Sequence, residues 1–205
     1  MKCRAVVPLM LAVILLVAAP AFAGPVTFNF EQFGDGDIGH SRNFTAGGLT
    51  LNVTAWMSNF VEGDMYFNNR GLDETGLGIA NTSEGHNEIQ SPAFLQLDMS
   101  QLQSKGINSI TIAFQSVQAG EGWKEGLSDI NGFYEGLNPH SGGTDAGLTI
   151  TTSLHRYIDI GATSHDVLLG ASTVNNPAPE PSSLLLLGSG LIGIGGLVRK
   201  GRKLA

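Results

Sequence analysis

The stretch Gly48-Leu-Thr-Leu-Asn-Val-Thr-Ala-Trp56 decides the fold class. Leu49, Leu51, Val53 and Ala55 fall on one side of an extended chain, and Thr50, Asn52 and Thr54 on the other. Successive side chains of a strand point to opposite faces, so this alternation predicts a strand with one buried face. A helix would need apolar residues at i, i+3, i+4 and i+7, and no stretch of the middle sustains that spacing. Outward from this strand, shorter apolar runs recur at 26–30, 77–80, 93–99, 107–114, 147–152, 157–160 and 167–171. Gly, Asn, Asp and Ser separate them, as turns require. One helical turn fits Asp98-Met-Ser-Gln-Leu102. Eight or nine short strands predict an all-β domain over residues 24–174, a two-sheet antiparallel sandwich of jelly-roll-like form.

Charge narrows the function classes. The 205 residues carry a net charge of −7. Within residues 24–178, five basic residues stand against 17 acidic ones, a balance of −12. Such a surface has no basic face to release counterions, which argues against nucleic acid as a partner. The single cysteine, Cys3, lies outside this region. The domain therefore has no disulfide, no zinc-thiolate site and no cysteine nucleophile.

The chain ends read as addresses. Lys2 and Arg4 precede an apolar run to Ala19, then Ala21-Phe-Ala23 and Gly24. A basic start, a short apolar core and small residues before a cut predict a secretory signal peptide over residues 1–23, cleaved between Ala23 and Gly24. Its partners are the Sec machinery and signal peptidase. At the other end, residues 175–183 form a Pro-rich spacer containing Pro179-Glu180-Pro181. Residues 184–198 are uncharged and apolar, and 199–205 form a basic tail with Arg199, Lys200, Arg202 and Lys203. This predicts a short transmembrane helix with a cytoplasmic positive stop. The domain would then lie outside the inner membrane.

Pro-Glu-Pro, a short apolar span and a terminal basic cluster, in that order, resemble the PEP-CTERM sorting signal of bacterial exported proteins. The resemblance implies processing by an exosortase, a membrane cysteine protease, and passage from an inner-membrane intermediate to the cell surface or extracellular polysaccharide matrix. The middle also resembles the domain commonly attached to this signal. The matching pieces are Gly47–Leu51, Gly76-Leu-Gly-Ile79, Asn87-Glu-Ile89 and Leu95–Ser100. That resemblance carries no activity to a named residue.

Two acidic loops are candidate cation sites. Asp35 and Asp37 alternate with glycines, and Glu84-Gly-His-Asn-Glu88 is a second such loop. Calcium is the ion expected for Asp35, Asp37 and Glu88, against the competing reading of solvated turns. No other cofactor is called for. His40, His86, His140, His155 and His165 show no zinc-protease spacing. Trp123, in the glycine-rich Gly120–Gly126 stretch, is the candidate carbohydrate contact, while Trp56 reads as core. The expected function is non-enzymatic: a structural or interaction role in the envelope or matrix. A carbohydrate-binding module is the alternative, and a secreted hydrolase the third.

Overall fold

The computed structural model describes residues 24–71, 74–80, 82, 85–115, 117, 120–134, 138–141, 148–152 and 155–176. The signal peptide, the Pro-Glu-Pro motif, the apolar span and the basic tail lie outside the described residues. Among the described residues no helix is long and apolar enough to cross a membrane.

In chain order the elements are β1 (Gly24–Asn29), β2 (Gly36–Gly39), β3 (Ser41–Ala46), β4 (Leu49–Ser58), β5 (Val61–Glu62), β6 (Met65–Asn69), β7 (Thr75–Ile79), β8 (Ile89–Gln90) and β9 (Phe94–Asp98). There follow α1 (Ser100–Gln103), β10 (Ser109–Gln115), β11 (Gly122–Ser128), β12 (Asn138–Ser141), β13 (Leu148–Thr151), β14 (Tyr157–Ser164) and β15 (Asp166–Asn176). The chain is mostly β and builds an open sandwich of two antiparallel sheets. One sheet runs β13-β10-β15-β7-β6-β2, with β1 and β8 also paired to β15. The other runs β12-β11-β14-β9-β4-β3, with β5 on β4. Pro25–Asn175 form one compact unit.

The alternation read in residues 48–56 becomes β4. Leu51, Val53 and Ala55 are fully buried, facing the same interior as Leu95 and Leu97 of β9 and Ile158 and Ile160 of β14. From the facing sheet come Ile110, Ile112 and Phe114, alternate residues of β10. Each of these side chains larger than Ala55 contributes, fully buried, roughly 1.5–3 kcal/mol of apolar transfer. The β3–β4 hairpin places Ala46 opposite Leu49 across Gly47-Gly48. Both glycines have positive φ, 54° and 75°. A two-residue turn of this kind matches the strand twist and sets the register that buries Leu49 and Leu51.

The strand count exceeds the sequence expectation, because β2, β3, β5, β6, β8, β11 and β12 carry weak apolar patterns. β15 runs to Asn176 and so takes in the first two residues of the expected spacer. A second apolar layer covers the outer face of the β4–β9–β14 sheet. There Phe94 stacks on Tyr134 at 5.0 Å, and the 129–134 connection lies over Trp56 and Gly161. Gln96 holds this connection. Its Nε2 donates to the Ile130 carbonyl (3.2 Å) and to Asp159 Oδ1 (2.8 Å), and its Oε1 accepts from Gly132 N–H (2.9 Å).

Candidate functional site

Among the described residues, a group of ligand-type side chains forms where β8 meets the start of β15. The pairing sets Asp166 opposite Gln90 and Val167 opposite Ile89. Ile89 and Val167 are fully buried in the core. Their neighbours one step along the chain, Glu88 and Asp166, therefore take the other face. His86 completes the group. One atom from each of His86, Glu88 and Asp166 lies within 4.8 Å of the others. His86 Nδ1 and Asp166 Oδ2 are 3.3 Å apart.

Local backbone fixes this arrangement. Asn87, between His86 and Glu88, has φ 56°, and His165, before Asp166, also has φ 56°. Asn and His are among the residues that tolerate this left-handed region. The Asn68 side-chain amide donates to the Asn87 carbonyl at 2.7 Å. The segment rests on β7 at Gly78, where an added Cβ would clash with the Asn87 carbonyl and sit 2.8 Å from Glu88 Cα. Glycine is therefore required at 78 by close approach of two backbones.

The site is electrostatically loaded. Glu88 is 4% exposed and Asp166 7%. Burial, and then the charges of Asp166, Glu74 and Glu121, push the Glu88 carboxyl up to about 8, against the opposing charge of Arg70. Two further buried polar atoms near this segment, Asn68 Oδ1 and Thr82 Oγ1, have no hydrogen-bond partner.

The other residues singled out from sequence lie elsewhere. Asp35 Oδ1 accepts from Asn69 N–H. Asp37 Oδ1 accepts from Gly39 N–H at 2.8 Å. Each thus braces its own stretch of the β2–β6 region. Trp123 lies inside β11 rather than in a loop, and it is 7% exposed. Its ring packs on Phe114 at 4.3 Å and stacks on His140 at 4.1 Å. His140 Nε2 in turn meets Glu125 Oε2 at 2.7 Å. With its ring covered, Trp123 presents little surface on which a sugar could stack. Trp56 is also 7% exposed.

A separate cleft of about 370 Å³ opens between β1 and β3. Thr27, Asn29, Gln32, Arg42, Asn43 and Thr45 supply polar groups to its wall. The Arg42 guanidinium sits 5.8 Å from the Phe33 and Phe67 ring centres and 6.0 Å from that of Phe44.

Glu88 and its acidic loop were singled out from sequence, and His86 was named only among the histidines without zinc-protease spacing. Asp166, 80 residues from His86 in the chain, was not singled out from sequence. Only the β8–β15 pairing brings the two together.

No curated protein and no solved structure matches this chain. One family model does, over residues 177–202, and its subject is the PEP-CTERM protein-sorting motif. Residues 177–202 therefore match the PEP-CTERM protein-sorting motif, and this chain carries that motif.

Proposed function

We propose that this is an exported protein whose β-sandwich has a non-enzymatic structural or interaction role in the cell envelope or extracellular polysaccharide matrix. The sorting motif at 177–202 carries the reading, because it implies an exosortase as processing partner and an exported, membrane-anchored intermediate. Signal peptidase cuts after Ala23, the 184–198 helix holds the intermediate in the inner membrane, and Arg199, Lys200, Arg202 and Lys203 keep the tail in the cytoplasm. Pro179 and Pro181 disfavour helix around them and present an extended backbone to the protease. The test is mass spectrometry of the mature C-terminus from the native host. Changing Pro179, Glu180 and Pro181 to Ala should leave an unprocessed, membrane-bound form. An identical mature C-terminus in wild type and variant would refute the role given to the motif.

A second reading, a carbohydrate-binding module, is favoured by the β1–β3 cleft rather than by Trp123. Amide and hydroxyl groups beside aromatic rings and one cation suit a polar, hydroxyl-rich ligand. A glycan array comparing wild type with Arg42→Ala separates this reading from the first.

A further inference from the structure

We propose that His86, Glu88 and Asp166 bind a divalent transition-metal cation of the Zn²⁺ class. The donor set is one imidazole nitrogen and two carboxylate oxygens, all within 4.8 Å of one another. Ligands sharing a tetrahedral ion at bond lengths of ~2.0–2.1 Å lie roughly 3.3 Å apart. The His86 Nδ1 to Asp166 Oδ2 separation is already 3.3 Å, so a cation can be gripped with small side-chain adjustments.

The state of Glu88 supports this independently. The residue is 4% exposed, and its carboxylate lies with the donor atoms of the other two. Among the described residues no hydrogen bond reaches its carboxylate, and the charged groups acting on it are acidic except for Arg70. Glu88 and Asp166, both more than nine-tenths buried, thus hold two carboxyl groups within 4.8 Å of each other, and a bound cation is the partner that offsets crowding two such groups out of water. His86, whose side chain is 55% exposed, leaves an open side through which an ion can enter.

The identity of the donors selects the ion. Calcium takes six to eight oxygen ligands, and the group here offers two carboxylates and a nitrogen. Imidazole with carboxylates suits zinc and its neighbours, with solvent in the remaining position. This differs from the calcium expected from sequence, both in the ion and in the exclusion of Asp35 and Asp37. A metal here would clip the 86–88 segment to the start of β15. In an exported domain without cysteine, that cross-link takes the place of a disulfide.

The experiment uses the full chain in detergent, stripped of metal by chelator and then melted with Zn²⁺, Ca²⁺ or neither. Micromolar Zn²⁺ should raise the melting temperature by several degrees, with one Zn²⁺ bound per chain by metal analysis. Calcium at the same concentration should not. Glu88→Gln and His86→Ala should each abolish the Zn²⁺ increment. The increment within each protein is the readout, so a change in metal-free stability does not obscure it, and exposed His86 tolerates Ala without unfolding. No increment in wild type, or one that persists in both variants, would overturn the site. An equal response to calcium would overturn the choice of ion.

Discussion

Asp159 should make this protein lose stability as pH rises through neutrality. Asp159 is fully buried in β14, with Oδ1 bonded to Gln96 and Oδ2 without a partner. Burial pushes its carboxyl from 3.8 up to about 7, against the opposing hydrogen bond from Gln96. The folded state therefore holds this proton more tightly than the unfolded state. The stabilisation is full below the ordinary carboxylate range and is lost as pH climbs through about 7. The cost to the folded state grows from about 1.5 kcal/mol at pH 5 to about 4 kcal/mol at pH 8. Asp159→Asn keeps an oxygen to accept from Gln96 and cannot ionise. It leaves one amide N–H₂ unpaired, which costs roughly 1–3 kcal/mol at any pH. The variant should therefore be more stable than wild type at pH 8, and its stability relative to wild type should fall by about 2.5 kcal/mol on going to pH 5. Urea unfolding followed by tryptophan fluorescence is suited to this, since Trp56 and Trp123 are both buried and become exposed on unfolding. Glu88, also raised, contributes a slope of the same sign to both proteins and cancels in their difference. Parallel stability curves for the two proteins from pH 5 to pH 8 would refute the assignment.

Gly78→Ala should destabilise by about 1–3 kcal/mol or more, because its Cβ meets the backbone of Asn87 and Glu88. Hydrogen exchange should show the loss first at β8, and the Zn²⁺ increment should vanish with it. Asp98 behaves oppositely to Asp159 in acid. Burial alone would raise its carboxyl, but hydrogen bonds from Arg156 and Ser100 outweigh that and hold it below the usual range. Its contribution is present at neutral pH and lost as pH falls below that range. Arg156 is half exposed, so Asp98→Asn should cost only about 1 kcal/mol at pH 7 and flatten the acid limb of a melting-temperature profile.

The reach of sequence reasoning differs sharply between elements. β10 and the first half of β4 were legible because each has one buried face, and strict alternation records that face in consecutive residues, whereas β9, buried on both faces, was legible as a short apolar run. α1 was legible as a single turn beside them. β11 was not. Gly122 and Gly126 made Gly120–Gly126 resemble a loop, yet the strand is held between β12 and β14, and Trp123 turns inward onto Phe114. Asp35 and Asp37 are neighbours in sequence, but the fold gives them different backbone partners, Asn69 N–H for Asp35 and Gly39 N–H for Asp37.

By itself the sequence determined what depends on adjacent residues: the β class, the acidic and cysteine-free character of the domain, and the sorting signal at 177–202. A linear signal is read by its receptor as a linear order, so no fold is needed to recognise it. Tertiary structure alone decided which carboxylates share a site and which aromatic rings are covered. Asp166 joins His86 and Glu88 only because β15 returns to pair with β8. Long-range antiparallel pairing sets that proximity, and the residues concerned carry no periodic trace of it in the chain.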